Sequence, residues 1–314
     1  MKALIIDQVS ENISKYLTAN GFDVTYIFLP TKAELTEIIG EYDLLVMRVD
    51  PKIDKEVLDA AKNLKAITVA ATGLDHIDLA YAKQRGIEIT NAFGGNSNAV
   101  AEMTFCKILE MARHSIAANR EIKEFHKWNK YKWTGFELKG TTIGIVGYGK
   151  IGSRVGEIAR GFGMNVLACD PALTKEQLEA MGAKKVSMQE LLKSARIITL
   201  HVPLNEQTRG MISEKEFEQM RPDALLLNMA RGGIVNEGAA YHALKSQKIA
   251  AISVDVLEVE KTANFIKGEA QVNSPLFELE NFTVSPHIAG GGTVNSLDAL
   301  GDTVIENISR IFSL

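Results

Sequence analysis

The chain has 314 residues, 46% of them hydrophobic and 24% charged, the balance of a soluble globular protein of about two domains. Its formal net charge of −4 supplies no basic field to hold nucleic acid or an anionic membrane, and no apolar run approaches the ~20 residues of a membrane span. The run that follows Met1 is too short for a signal peptide, and Cys106 and Cys169 lie too far apart for a metal or disulfide framework; both are expected to be reduced core residues of a cytoplasmic protein.

Short β-branched runs alternate with helical stretches over the first ninety residues. Strands are predicted at Ala3–Ile6, Asp23–Phe28, Leu44–Met47, Ala66–Val69 and Ile87–Thr90, with an amphipathic helix at Asp54–Lys62 among the segments between them. The runs are continuously apolar, as parallel strands covered on both faces are. Ala99–Arg120 then reads as one long helix, free of Gly and Pro, with Val100, Met103, Ile108, Leu109, Met111 and Ile116 at roughly helical spacing. The segment Phe125–Phe136 has no period and holds both tryptophans, Trp128 and Trp133. An oligomer arm and packing against its own domain are equally open there. A second alternation begins at Thr141. Its strands are expected at Thr142–Val146, Asn165–Cys169, Ile197–Leu200, Ala224–Asn228, Ala251–Val254 and Thr283–Ser285, and its helices include Ile151–Arg160 and Glu237–Ser246. A last helix is expected at Val294–Ile311.

Gly147, Gly149 and Gly152 fit G-x-G-x-x-G where a β-branched strand ends and a helix opens. In that setting the first glycine makes the tight turn, the second lets the backbone approach a pyrophosphate, and the third lets helix and strand pack closely. The next strand ends at Asp170, 23 residues after Gly147, where an acid accepts hydrogen bonds from a ribose 2′-hydroxyl and repels a 2′-phosphate. Pro171 and Ala172 follow, with no adjacent arginine, so the preferred cofactor is NAD(H) rather than NADP(H). An Asp-Pro pair in isolation would read as a turn starter.

Further motifs are spread over most of the chain. They are Ala71-Thr72-Gly73-Leu74-Asp75-His76-Ile77-Asp78; Asn91 to Glu102; His201-Val202-Pro203-Leu204 with Thr208; Asn228-Met229-Ala230-Arg231-Gly232-Gly233; Val254-Asp255-Val256-Leu257-Glu258-Val259-Glu260; and Ser285-Pro286-His287-Ile288-Ala289-Gly290. Together with the glycine turn, in this order, the chain resembles the D-isomer-specific 2-hydroxyacid dehydrogenases. The resemblance implies two doubly wound α/β domains with parallel sheets. A Rossmann-type NAD domain, residues 99–288, is inserted into a flavodoxin-like substrate domain made of residues 1–98 plus 289–314. It also implies a cleft between the domains with hinges around Asn98 and Ile288, and a homodimer joined through Ala99–Phe136. The cofactor residues it implies are Gly147, Tyr148, Gly149, Lys150, Ile151, Gly152, Asp170, His201, Pro203, Thr208, Met229, Ala230, Arg231, Asp255, His287 and Gly290. Asp255 would bond the nicotinamide carboxamide.

The residue types suit reduction of a 2-keto acid. Arg231 is a permanent cation with forked donors for a planar carboxylate and a polarised carbonyl. His287 is a natural general acid and base, because an unperturbed imidazole titrates at about 6.5. An acid beside it would hold one tautomer and favour the protonated form. Glu258 and Glu260 are both candidates by type, and the spacing of the resembled motif selects Glu260. Backbone amides near Thr72 and Gly73 match the family's carboxylate-binding turn, so Thr72, Gly73, Arg231 and His287 form the expected substrate set. His76, His114, His126 and His242 have no motif support and read as structural or surface residues; His201 is expected to line the cofactor pocket.

Three departures bear on substrate. Met229 stands where most members carry a small or polar residue. Lys261–Asn281, with Asn264-Phe265-Ile266-Lys267-Gly268, is slightly longer than in compact members. Val69-Ala70-Ala71 lacks the arginine that members acting on 3-phosphoglycerate tend to carry, although Arg48 and Lys52 are nearby cations. With no regulatory domain expected after Leu314, the reading leans to an unphosphorylated 2-keto acid, giving a D-hydroxy acid. The rivals are a 3-phosphoglycerate dehydrogenase, a non-catalytic NADH-sensing corepressor-like protein, and a formate- or phosphite-type oxidoreductase.

Overall fold

The computed structural model describes residues 1–261 and 269–314. Its contacts divide the chain into two units. One comprises Met1–Ala99 and Gly290–Leu314, with residues 269–271; the other comprises residues 100–261 and Val272–Ala289. The residues singled out at 264–268 for loop length thus lie outside the described residues.

The first unit is a five-stranded parallel sheet of β1 (Lys2–Ile5), β2 (Asp23–Tyr26), β3 (Leu44–Met47), β4 (Ala66–Val69) and β5 (Glu88–Asn91), in the order β2-β1-β3-β4-β5. Alternate residues of each strand enter opposite cores, because side chains switch faces at every step. Leu4, Leu45, Met47, Ile67 and Val69 face one layer of helices. Ala3, Ile5, Leu44, Val46 and Ala66 face the other, where Leu300, Val304 and Ile308 of the C-terminal helix Val294–Phe312 complete the core. Strand order reverses between β1 and β3, and the carboxyl ends of these two strands lead into Asp7 and Arg48.

The second unit is a seven-stranded parallel sheet. It contains β6 (Thr142–Val146), β7 (Asn165–Cys169), β8 (Lys184–Lys185), β9 (Ile197–Leu200), β10 (Leu225–Asn228), β11 (Ala251–Val254) and β12 (Phe282–Val284), in the order β12-β11-β10-β9-β6-β7-β8. Here the order reverses between β6 and β9. Val146, Ile198, Leu200 and Leu226 bury into one face, and Ile143, Ile145, Ile197 and Leu227 into the other. Every predicted strand forms within two residues of its expected bounds. β8 has no counterpart in the reading of the sequence, because two lysines carry no apolar run.

Two expectations fail. The helix expected over Ala99–Arg120 is two helices, Ser97–Arg113 and Ser115–Phe125, broken where His114 adopts the left-handed conformation (φ 52°). Neither Gly nor Pro marks the break. The first helix has its core face in Val100, Phe105, Ile108 and Ala112, whereas the second buries no residue, and Ile116 and Ile122 at the continued spacing are exposed. The chain therefore turns where the core to pack against ends. Cys106 is not a core residue either; it is exposed on the first helix, its Sγ 3.5 Å from Glu110 Oε1. Both cysteines are free thiols. In the following segment Trp133 packs locally, its Nε1 donating to Glu121 Oε2 at 2.7 Å, while Trp128 and Tyr131 are 76% and 87% exposed. Among the described residues no helix is long and apolar enough to cross a membrane.

Candidate active site

In the second unit the named residues gather beyond the carboxyl ends of the strands. After β6 the chain makes its turn at Gly147 (φ 84°), where a Cβ would fall 2.6 Å from the His201 carbonyl oxygen. Gly152 is held still more tightly, since a Cβ there would lie 2.0 Å from the Gly147 oxygen, so only glycine lets the helix Lys150–Gly161 sit on the turn. A Cβ at Gly149, by contrast, would meet open space. These are the conditions under which the first amides of a helix stay available to an anion. The Tyr148 side chain is buried in the sheet's core and its ring crosses Gly156, so the backbone of this residue is what the turn presents. Lys150 and Ile151 open the helix, Lys150 exposed and Ile151 partly packed on the core.

At the end of β7, Asp170 ties the turn together: Oδ2 accepts from the Tyr148 amide (2.7 Å) and Oδ1 from the Ala172 amide (2.8 Å). A carboxylate has about four lone-pair positions, so two remain for ribose hydroxyls. After β9, His201 Nε2 pairs with Thr199 Oγ1 at 2.9 Å, and Nδ1 is sealed without a hydrogen-bond partner. Although part of the residue's surface is exposed, both nitrogens face the interior, and burial lowers the pKa to about 3. His201 is thus a neutral imidazole, unsuited to proton transfer near neutral pH. Thr208 closes the next loop, donating to the Pro203 oxygen at 2.5 Å and accepting from the Asn205 amide at 2.8 Å.

The turn after β10 is shaped by buried Asn228, whose Nδ2 donates to the Arg231 carbonyl (2.9 Å) and whose Oδ1 accepts from the Ala230 amide (3.1 Å). Met229 points into the core, which leaves its backbone to the site. The half-buried Arg231 donates from Nη1 to the Ala230 oxygen at 2.8 Å. Gly232 brings this turn against the next: a Cβ there would fall 2.4 Å from the Leu257 carbonyl.

β11 leads into Asp255, which is 1% exposed. Its Oδ1 accepts from Ser285 Oγ (2.6 Å) and the Ile288 amide (3.1 Å), its Oδ2 from the Ala289 amide (2.7 Å), and its carbonyl from the His287 amide (2.9 Å). Burial raises its pKa, against the pull of these donors. Asp255 therefore builds the segment Ser285–Ala289, in which His287 is held at φ 53°. A residue other than glycine in that region costs of order 1–2 kcal/mol and persists where its surroundings impose it. One position on Oδ2 is left for a further donor, as a carboxamide contact requires.

Glu260 sits in the 3-10 turn Glu258–Lys261, with Oε1 accepting from the Leu257 amide (2.5 Å) and Oε2 2.8 Å from His287 Nδ1. Glu258 is turned elsewhere, 3.5 Å from Arg209 Nη1 and against Gly233. Of the two candidate acids, Glu260 is the one that reaches the imidazole. Two contributors escaped the reading of the sequence. Thr199 carries no signal beyond a β-branched strand position. Glu237 follows the helix cap Asn236 and reads as an ordinary first-turn acid, yet its Oε1 accepts from the Glu258 amide at 2.7 Å.

In the first unit, the segment after β4 holds Thr72 and Gly73. Thr72 Oγ1 donates to Asn96 Oδ1 (3.2 Å), and Asn91 Nδ2 donates to the Thr72 carbonyl (2.6 Å). Gly290, which opens the C-terminal segment, is also in this unit.

Residues 105–289 match the family model described as D-isomer specific 2-hydroxyacid dehydrogenase, NAD binding domain. The chain belongs to this family. Its second unit carries the family's NAD-binding domain. A relative named D-3-phosphoglycerate dehydrogenase, from Archaeoglobus fulgidus, is 39% identical over 98% of this chain and 56% of its own. One named glyoxylate reductase, from Thermococcus litoralis, is 37% identical over 89% of this chain and 83% of its own. The solved structure of D-lactate dehydrogenase from Aquifex aeolicus, complexed with NAD and lactic acid, is 28% identical, with a TM-score of 0.83 over 99% of this chain and 95% of its own. The chain spans little more than half (56% and 57%) of the length of the first curated relatives it matches.

Proposed function

We propose that the protein is an NAD-dependent oxidoreductase interconverting a 2-keto acid and a D-2-hydroxy acid, with His287 as general acid and base. The observation that carries this reading is the 2.8 Å contact between His287 Nδ1 and Glu260 Oε2, on turns of the NAD-binding domain. A carboxylate on Nδ1 fixes the orientation of the ring, so Nε2 is the atom that gives a proton to the carbonyl oxygen or takes it from the hydroxyl. When bound, the reduced nicotinamide supplies the hydride that C2 receives. Arg231 takes the substrate carboxylate and polarises the carbonyl through its forked donors. Thr72 and Gly73 complete the substrate set. The cofactor is held by the turn Gly147–Gly152, by Asp170 on its ribose, by His201, Pro203 and Thr208, by the backbone of Met229, Ala230 and Gly290, and by the remaining lone pair of Asp255.

In this reading, residues 1–98 with 289–314 are the substrate domain and 99–288 the NAD domain. The protein pairs with a second copy through residues 99–136, whose exposed Phe125, Trp128 and Tyr131 support such an arm. Oxidation of NADH is followed at 340 nm with pyruvate, glyoxylate, hydroxypyruvate, 2-ketoisocaproate, phenylpyruvate and 3-phosphohydroxypyruvate. Turnover is expected with an unphosphorylated member, and H287A is expected to lose kcat while keeping its NADH affinity. Binding of NADH without turnover of any member rules out these six keto acids and shifts the reading to a substrate outside the panel or to the sensing role.

One observation favours 3-phosphoglycerate as the substrate instead. Arg48, half-buried beyond β3, has a buried Nε without a hydrogen-bond partner, and its backbone amide is held by Asp7 Oδ2 at 3.2 Å. Preference for the phosphorylated keto acid, lost in R48A, selects that reading.

A further inference from the structure

The structure assigns Glu237 as a positioning residue for the Glu260–His287 pair, acting through the turn that carries Glu260. The inference rests on the catalytic reading above. Glu237 is the first residue of the helix Glu237–Lys245, behind Asn236, whose side chain caps the helix by accepting from the Ala239 amide at 2.9 Å. A glutamate in a first helical turn ordinarily stands in solvent and interacts with the helix dipole. This one is half-buried and directs Oε1 to the Glu258 amide, 21 residues along the chain, at 2.7 Å.

Glu258 opens the 3-10 turn, and Glu260 closes it by accepting from the Leu257 amide. Two successive amides, those of Leu257 and Glu258, are thus each bound by a carboxylate. The first comes from within the turn and the second from the helix outside it. The second ties the backbone of the turn to the helix Glu237–Lys245, beside the longer side-chain contact of Glu258 with Arg209. If it is lost, Glu260 keeps its local bond to Leu257, and Leu257 stays in the core, but the turn loses its bond to the helix and shifts against His287, which Asp255 holds independently. A displacement of about 1 Å at a reacting group is enough to cost two orders of magnitude in rate.

The charges around the pair make Glu237 an unfavourable choice for mere helix stability. Glu258 and Glu260 both lie near enough to disfavour its ionised form, adding to the larger effect of burial. Glu258 is partly offset by Arg209, and Asp255 is committed to Ser285–Ala289. The hydrogen bond to the turn is the interaction that offsets this placement.

The test compares E237A, E237Q, E260Q and the double variant E237A/E260Q in the full chain, using NADH and the panel keto acid the unaltered protein reduces fastest. E237A is expected to lower kcat by about tenfold to a hundredfold, with the NADH dissociation constant changed less than about twofold. E237Q keeps an acceptor oxygen in place and is expected to stay within about threefold of the unaltered protein. In the E260Q background E237A is expected to add little, because both substitutions disturb one contact. Glu237→Asp, which withdraws the oxygen by one methylene, is expected to behave as E237A does and serves if the alanine variant does not fold. Equal losses in E237Q and E237A overturn the assignment, as does a loss in E237A of the same size with and without E260Q. If E260Q itself retains full kcat, the acid–base reading fails first and takes this inference with it.

Discussion

Replacement of Asp255 by alanine tests whether this buried acid builds the site or only contacts the cofactor. The substitution leaves three donors without their acceptor: Ser285 Oγ, the Ile288 amide and the Ala289 amide. Ser285 and Ala289 are buried, and each buried group left unsatisfied costs about 1–3 kcal/mol. The loss is reduced because burial already disfavours the ionised carboxyl, as its raised pKa records, and the substitution removes that penalty. The net expectation is a destabilisation of about 2–4 kcal/mol in cofactor-free protein. Urea unfolding followed by circular dichroism measures it, beside kcat and the NADH dissociation constant. Activity is expected to fall further than NADH binding, because the released segment carries His287 out of its left-handed conformation. Ser285→Ala, which removes one donor and leaves the carboxylate with two amides, is expected to cost only about 1 kcal/mol. If D255A unfolds within about 0.5 kcal/mol of the unaltered protein and loses only NADH affinity, the scaffold argument is wrong and the contact is solely with the cofactor.

His201 gives a prediction with a definite sign. Its pKa in the folded protein is lowered to about 3 from an unfolded value of about 6.5, so the unfolded chain takes up a proton first as pH falls. The stabilisation is present in full above the unfolded value and is lost progressively as pH falls toward 3. Between pH 7 and pH 5 this one group is expected to account for about 2 kcal/mol of lost stability, absent in His201→Asn; urea midpoints at the two pH values compare them. Asp255 has the opposite sign: its raised pKa penalises the folded state as pH rises through it, and D255A removes that trend. Gly152→Ala forces a Cβ to within 2.0 Å of the Gly147 oxygen, so the turn or the helix must move. Overpacking of this kind costs about 1–3 kcal/mol, and NADH binding is expected to weaken more than keto-acid reduction at saturating NADH. Gly149→Ala meets no protein atom, and normal NADH affinity in that variant would contradict the close backbone approach assigned to this position.

Local patterns carried the architecture. Continuous β-branched runs recur with helices between them, and because parallel strands bury both faces these runs identify the strands without reference to any contact. The glycine turn was equally legible, since Gly147 and Gly152 are demanded by a positive φ and by a close approach a few residues away. The ordered motifs nominated Arg231, Glu260 and His287, and the structure gathers them onto neighbouring turns of one domain. What the sequence could not express is where packing stops and which groups meet across the sheet. The helix expected through Arg120 breaks at His114 because the core ends there, and helical spacing continues past the last neighbour that rewards it. Cys106 has an apolar sequence setting but lies on the outer face of its helix. Met229 stands in the motif Asn228–Gly233 and turns its side chain into the core. Asp255 and Glu237 look like a cofactor ligand and a helix-start acid. Their hydrogen bonds to residues thirty or so and twenty-one positions away make them the anchors of the turns that carry His287 and Glu260. Such bonds form only once separate strands have been paired, so the tertiary structure alone decides them.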